Sequence, residues 1–181
     1  MQLTHITSST DPLLAHVPHL YETAFPEDER TDTARLIEMV EACPEMTFNA
    51  IMDDGTFCGM AVIWELGICR YLLYLATLEE RRNEGLGSQT LELLKAESPL
   101  PIIGEVERPT DPIKARRIKF YERNGFHIES TDPTILNEAH THSTCVLQLI
   151  STHKLDNLEA CLHKVVDIVY AGLHPKEDIH Q

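Results

Sequence analysis

The chain has 181 residues, of which 43% are hydrophobic and 24% are charged, and its formal net charge is −14. This composition is typical of a single globular domain with a full core, and the sequence has no apolar run near the ~20 residues of a membrane helix. The negative charge argues against nucleic acid as a partner, because such binding depends on Lys and Arg neutralising phosphates.

The N-terminal part of the chain predicts one strand followed by two helices. Residues 2–7 alternate weakly in polarity, as in a strand, and residues 11–25 carry apolar side chains near helical spacing. A charged break at residues 26–30 separates this helix from a second one, which Asp32 is expected to cap. The break is a candidate substrate loop, and a solvated linker is the alternative.

Three strands are predicted next. They cover residues 47–53, 57–66 and 69–77. The sequence Asp53-Asp54-Gly55-Thr56 between the first two favours a tight hairpin, because Asp-Gly suits the backbone of such a turn.

A loop with two glycines joins the third of these strands to a helix that follows it. Its sequence is Arg82-Asn83-Glu84-Gly85-Leu86-Gly87-Ser88. Backbone N–H groups in the first turn of a helix have no partner within the helix, and the helix dipole adds partial positive charge there. Gly85 and Gly87 leave room for a ligand, and Arg82 adds a full positive charge. The loop therefore predicts a site for a phosphate-bearing ligand.

The chain continues with a strand, a helix and two more strands. The strand covers residues 101–107, and Asp111 followed by Pro112 is a favourable start for a helix that runs to about Asn124. The last two strands are predicted near residues 126–129 and 143–150. This order of elements predicts an α/β (α+β) domain with a mixed sheet and helices on both faces.

Two motifs resemble the GNAT superfamily of acyl-CoA-dependent N-acetyltransferases. Residues 82–87 match its phosphate loop, Gln/Arg-x-x-Gly-x-Gly/Ala, and residues 120–126, FYERNGF, match its later aromatic-Tyr-x-x-x-Gly-Phe pattern. The resemblance covers roughly residues 1–150 and implies a GNAT-like fold, a mostly antiparallel sheet with splayed strands. It implies transfer of an acetyl group from acetyl-CoA to a primary amine by direct attack in a ternary complex. A weakly active or inactive CoA-binding sensor or scaffold is the alternative.

The resemblance also assigns residues to acyl-CoA. The pantetheine arm is expected beside Leu75, Ala76 and Thr77, where the strand splays from its neighbour. The pyrophosphate is expected at Arg82 and at the N–H groups of the residues after it, namely Asn83, Glu84, Gly85, Leu86, Gly87 and Ser88. An ordinary tight turn is the alternative for the two glycines. The basic stretch at residues 114–119 could contact the adenosine 3′-phosphate or form a solvated helix face.

Two residues are the leading candidates for catalysis. By the resemblance, Glu105 is the general base that takes a proton from the amine, and Tyr121 is the acid that protonates the departing thiolate. Glu107 and Glu65 are other candidates for the base, and deprotonation through a chain of waters is a further alternative. The acceptor is expected to be a small-molecule or peptide amine, whose identity the sequence leaves open.

The remaining features predict location, metal content and the role of the tail. Five widely spaced cysteines and an N-terminus without a secretion signal predict a cytoplasmic protein. The pair His140-x-His142 lacks a third ligand at fixed spacing, so no metal is predicted. Residues 151–181 form a C-terminal segment with an amphipathic helix at 154–171. This helix is expected to pack on its own domain or on a partner subunit, which would give a homodimer.

Overall fold

A computed structural model of the chain describes residues 1–130 and 147–174. Within these ranges the strands form one seven-stranded sheet in the order β1-β2-β3-β4-β5-β7-β6. They are β1 (Gln2–Ile6), β2 (Met46–Asp53), β3 (Thr56–Glu65), β4 (Arg70–Thr77), β5 (Ile102–Glu107), β6 (His127–Ser130) and β7 (Leu147–Ser151). Neighbouring strands are antiparallel except β4 and β5, which are parallel. The prediction of a mixed, mostly antiparallel sheet is confirmed.

Helices cover both faces of the sheet. They are α1 (Val17–Ala24), α2 (Thr33–Ala42), α3 (Leu86–Glu97), α4 (Pro112–Arg123), α5 (Leu158–Lys164) and α6 (Ala171–Leu173). A π-helical segment, Val165–Tyr170, joins α5 to α6, and the three together are called the C-terminal helix. Side chains alternate across a strand, so Val62 of β3 packs with α1, α2 and the C-terminal helix, while Ile63 packs with α3 and α4.

Short-range sequence signals account for several element boundaries. Asp32 and Asp111 each accept a hydrogen bond from a backbone N–H of the helix that follows, at 2.8 Å in both cases. Asp54 and Gly55 both have positive φ, 47° and 76°, which is the backbone that the predicted hairpin turn requires. The single helix predicted for residues 11–25 is instead a 3₁₀ turn followed by α1. Pro18 accounts for the break, because it lies in the first turn of α1 and has no N–H to continue a helix across it.

The C-terminal helix begins at Leu158, where Asn157 caps it by accepting a hydrogen bond from the N–H of Ala160 at 3.0 Å. Its buried residues Val165 and Val169 lie in the same hydrophobic cluster as α1 and α2. The helix therefore packs on its own domain. Residues 143–146 of the last predicted strand lie outside the described ranges, and β7 is described from Leu147. None of the described helices is both long and apolar enough to cross a membrane.

The sheet splits between β4 and β5. Their pairing covers Arg70–Leu72 against Ile102–Gly104, although β4 continues to Thr77 and β5 continues to Glu107. The register of β4 against β3 shifts just after Leu72, leaving Leu73 as an extra residue on β4. Such a bulge bends the strand that carries it. The two strands therefore diverge and leave a gap in the middle of the sheet.

Candidate active site

A cavity of about 870 Å³ passes through the gap between β4 and β5. On one side of the sheet it is lined by Phe120 and Tyr121 of α4, and on the other by Phe25, which packs with α1 and α2. Its middle is lined by β4 from Tyr71 to Thr77, which includes the predicted contact residues Leu75, Ala76 and Thr77. Two molecules can therefore approach the gap from opposite faces of the sheet.

The loop between β4 and α3 closes one end of this cavity. Among the predicted phosphate-binding residues, six line the cavity: Arg82, Asn83, Gly85, Leu86, Gly87 and Ser88. Glu84 is not among the lining residues, because its carboxylate turns to the guanidinium of Arg81 at 2.7 Å. The N–H groups of the first turn of α3 have no acceptor within the helix, so this end of the cavity offers several donors to an anion.

The two glycines of the loop have different roles. Gly85 precedes α3 with φ of 82°, a backbone that side chains other than glycine rarely adopt, and the space beside it is nearly open. A Cβ on Gly87 would lie 3.1 Å from the ring of Phe120. Gly85 therefore allows the turn and leaves the cradle open, whereas Gly87 allows α4 to pack closely against the start of α3.

Arg81, which the sequence analysis did not single out, ties the loop to the rest of the domain. Its guanidinium donates to Asp53 at 2.8 Å and to the sulfur of Cys58 at 2.8 Å, in addition to Glu84. The hydrogen bond from Arg81 and the N-terminal ammonium hold the pKa of Asp53 below its usual range. Arg82 is half exposed and lies 3.8 Å from Glu79, so its charge remains available to a ligand in the cavity.

The basic stretch of α4 divides between two tasks. Lys114 lies 2.5 Å and Arg117 3.3 Å from the nearly buried carboxylate of Glu107. Arg116 lines the cavity and donates to the side chain of Asn83 in the loop at 2.6 Å. The first two cations thus compensate a carboxylate, whereas Arg116 contacts the predicted phosphate-binding loop.

These contacts remove two of the alternative bases. Glu107 is held in ion pairs with Lys114 and Arg117 of α4 and is not among the residues that line the cavity. Glu65 lies at the C-terminal end of β3, where it accepts a hydrogen bond from Arg70 at 2.6 Å. It is not among the residues that line the cavity. The expectation that Glu65 serves as a base does not fit its position.

Glu105 lines the cavity on the face that carries α1, α2 and the C-terminal helix. Its carboxylate oxygen Oε1 accepts a hydrogen bond from the hydroxyl of Tyr170 at 2.6 Å. The hydroxyl of Tyr71 also lies within hydrogen-bonding reach of both groups. Burial, together with the neighbouring carboxylate, raises the pKa of Tyr71 and of Tyr170 far above the ordinary value. Both hydroxyls are therefore protonated at neutral pH and available as donors.

Tyr121 lies on the other side of the gap. Its ring packs edge-on against Phe120 and Phe126, with centroid distances of 5.2 and 5.3 Å, and its side chain lines the cavity. Burial raises the pKa of Tyr121, and the positive charge of Arg117 partly opposes this shift. The phenol keeps its proton at neutral pH and can donate it to a strong base that forms in the gap.

The face opposite α3 and α4 has an acidic and aromatic lining. The carboxylate of Glu29 and the ring of Phe25 line the cavity there. Phe25 packs on Tyr74 at a centroid distance of 4.8 Å, and the hydroxyl of Tyr21 donates to that of Tyr74 at 2.9 Å. Glu29 falls in the charged break predicted as a candidate substrate loop, where no sequence signal favours one carboxylate over another.

The metal interpretation finds no support among the described residues, which contain no cluster of three potential ligands. The pair His140 and His142, together with Glu138, lies outside the described ranges.

Comparisons with known proteins agree with this architecture. The family model described as "Acetyltransferase (GNAT) domain" matches residues 44–128. A protein from Bacteroides thetaiotaomicron, described as an acetyltransferase from the GNAT family, superposes with a TM-score of 0.78 at 28% identity, over 94% of this chain and 98% of its own. The search of curated proteins found no match.

Two more distant structures have the same fold. An aminoglycoside 6′-N-acetyltransferase complexed with coenzyme A superposes with a TM-score of 0.65 at 16% identity, over 83% of this chain and 96% of its own. An acetyltransferase from Thermus thermophilus superposes with a TM-score of 0.63 at 19% identity, over 83% of this chain and 94% of its own.

Proposed function

We propose that this chain, whose residues 44–128 match the GNAT acetyltransferase family model, transfers an acetyl group from acetyl-CoA to a primary amine by direct attack in a ternary complex. The observation that carries the proposal is the cavity that crosses the sheet through the gap between β4 and β5. A donor entering from one face and an acceptor entering from the other meet in that gap without competing for the same space.

The donor side has the features that acetyl-CoA requires. The open, left-handed turn at Gly85 and the N–H groups at the start of α3 suit a pyrophosphate, and Arg82 supplies a cation beside them. Beyond the end of the β4–β5 pairing, Leu75 and Thr77 have no partner strand on that side within the described part of the chain. Their outward backbone groups are suited to bind the amide-containing pantetheine arm. A coenzyme A complex of the aminoglycoside 6′-N-acetyltransferase, which shares the fold, is consistent with this role.

Converting an ammonium group and a thioester into an amide and a thiol removes two protons from the nitrogen, adds one to the sulfur and releases one to solvent. We assign the first of these protons to Glu105, whose carboxylate takes the proton from the acceptor's ammonium group so that the nitrogen lone pair can attack the thioester carbonyl carbon. As the C–S bond breaks, the sulfur leaves as a thiolate and takes a proton from Tyr121. The second proton of the attacking nitrogen then restores the phenol of Tyr121, and Glu105 releases the first proton to solvent. The positions of these two residues on opposite sides of the gap support this division of roles.

The acceptor side favours a cationic amine. Glu29 and Glu105 place carboxylates in the cavity, and the ring of Phe25 offers an apolar surface on which a cation can also bind. The overall charge of −14 adds a long-range attraction for cations. Amine substrates are protonated at neutral pH before they bind, so this environment attracts the species that is present in solution.

The proposal is tested with a panel of amines and acetyl-CoA, with release of the free thiol as the readout and mass spectrometry to identify the product. The panel includes spermidine, kanamycin, a lysine-containing peptide and a peptide with a free N-terminus. Glu105→Gln serves as the matched control, because it removes the carboxylate and leaves the phosphate loop unchanged. Transfer to at least one amine that depends on Glu105 is expected. If acetyl-CoA binds by calorimetry while no amine is acetylated above the enzyme-free rate, the proposed activity is wrong.

A further inference from the structure

A buried tyrosine of the C-terminal helix holds the carboxylate of Glu105. We propose that Tyr170 is a positioning residue for the transfer reaction, which fixes Glu105 in the orientation that accepts the amine proton. This inference rests on the proposed function, and it extends the active site to a segment outside the part of the chain that resembles the family by sequence. Residues 44–128 match the family model, whereas Tyr170 lies 65 residues beyond Glu105.

The contact has the properties of a strong, fixed hydrogen bond. The hydroxyl of Tyr170 donates to Oε1 of Glu105 at 2.6 Å, a short distance that is typical of a hydroxyl bound to a carboxylate. Tyr170 is only 6% exposed, so water competes poorly for the carboxylate on that side. Tyr71 stands within hydrogen-bonding reach of both and lines the cavity. The base is therefore held from the protein side while it faces the gap.

The helix that carries Tyr170 is itself firmly placed. The guanidinium of Arg35 in α2 donates to the carbonyl of Gly172 at 2.7 Å. A Cβ on Gly172 would lie 2.7 Å from the ring of Trp64, so the helix packs directly on the sheet at this point. The π-helical segment from Val165 ends at Tyr170, and such segments change which residues of a helix face the core. These contacts fix the position of the hydroxyl to within a narrow range.

The hydroxyl can act only as a donor to Glu105. Because burial and the adjacent carboxylate raise the pKa of Tyr170, the phenol stays protonated throughout the pH range in which the amine is acetylated. A donor stabilises the ionised carboxylate, which is the form that accepts a proton. Tyr170 thus holds the base in one orientation toward the gap.

The test is Tyr170→Phe, which removes the hydroxyl and keeps the buried ring. We expect kcat to fall about tenfold while the KM for acetyl-CoA stays within about twofold, because a misoriented base slows the chemical step and leaves donor binding unchanged. The acceptor is spermidine, or the fastest amine of the panel if another is faster. Tyr21→Phe is the matched control, because it removes another buried hydroxyl from the same cluster, one that bonds to Tyr74. The carboxyl carbon signal of Glu105, described below, should be unchanged in this control.

A second readout is independent of any acceptor. The carboxyl carbon signal of Glu105 in ¹³C-glutamate-labelled protein is identified as the one lost in Glu105→Gln, and its chemical shift at neutral pH is compared in the wild type and in Tyr170→Phe. A changed chemical shift supports the proposal, and an unchanged one overturns it even if no acceptor is found. Failure of the base assignment looks different: Glu105→Gln would then retain wild-type turnover. In that case the proposed mechanism and the role of Tyr170 both fall.

Discussion

Replacing Gly172 by alanine tests whether the end of the C-terminal helix is held against the sheet. The added Cβ would lie 2.7 Å from Cη2 of Trp64 and 3.4 Å from the sulfur of Cys43. Trp64 is 1% exposed and its ring cannot swing into solvent. An ordinary contact requires about 3.5–4.0 Å between carbons, so the helix end must move by roughly 1 Å.

The cost follows from two opposing effects. Overpacking in a filled core costs about 1–3 kcal/mol, whereas alanine is favoured over glycine in a helix by up to about 1 kcal/mol. The net loss in the free energy of unfolding is about 1–2 kcal/mol, which corresponds to a fall of about 3–6 °C in Tm for a domain of this size. A shift of about 1 Å two residues after Tyr170 also disturbs its 2.6 Å hydrogen bond to Glu105, so kcat should fall with it.

Thermal denaturation and steady-state kinetics of Gly172→Ala, Trp64→Phe and the double variant provide the measurement. Trp64→Phe alone should destabilise the fold because it leaves a cavity, but this cavity makes room for the methyl group of Gly172→Ala. The double variant should therefore be more stable than the sum of the single changes predicts. The reasoning is refuted if Gly172→Ala melts at or above the wild-type temperature, or if the two changes add without coupling.

Three further predictions concern the donor side and the sheet. Tyr121→Phe should lower kcat at least tenfold, while its affinity for acetyl-CoA, measured by calorimetry, stays within about twofold of the wild type. Because the pKa of Tyr121 is raised above its ordinary value of 10, the wild type should show no loss of kcat from this group up to pH 10. Unchanged turnover in Tyr121→Phe would exclude it as the acid. Gly85→Val should weaken CoA binding at least tenfold by calorimetry, because a branched residue is strained at φ of 82° and its side chain enters the cradle. The control Gly55→Val, at a similarly positive φ in the distant hairpin, should lose stability but keep CoA affinity. Equal CoA affinities in the two variants would contradict the cradle. Arg70→Met should lower Tm by about 4–8 °C, because loss of the hydrogen bonds of Arg70 costs about 2 kcal/mol. Arg70 is 2% exposed and bonds to Glu65, Glu97 and the carbonyl of Leu94. A melting temperature within about 1 °C of the wild type would show that this buried cation makes no net contribution to stability.

Much of the fold could be predicted because its signals are local. The side chain of Asp32 or Asp111 meets backbone groups two residues away, and the turn at Asp54 and Gly55 depends only on their own backbone preferences. Alternation of side chains along strands such as β3 is likewise visible in the sequence. The sequence does not predict the division of residues 11–25 into a 3₁₀ turn and α1, because the apolar spacing is nearly the same in both elements. Only Pro18 marks the boundary between them.

The candidate site was predicted where it consists of neighbouring residues, and missed where it depends on contacts across the fold. The glycine loop is contiguous, so six of its seven assigned residues could be placed at the cavity from the motif. The link between Glu105 and Tyr170 spans 65 residues, and nothing near Tyr170 in the sequence indicates its partner. The ion pairs of Glu107 with α4 likewise depend on packing, which is why it remained a candidate base until the structure was known.

Because the cavity passes through the sheet, specificity for the recipient can change separately from binding of the donor. In the proposed mechanism, the residues that hold the acyl donor belong to β4, α3 and α4, whereas those that meet the recipient belong to the segments around α1 and to the C-terminal helix. On this proposal, substitutions at Phe25 or Glu29 would redirect the chain toward a new nucleophile while the donor-binding residues stay unchanged. Sequence changes selected for a different recipient are therefore expected on one face of the sheet only, the face that carries α1.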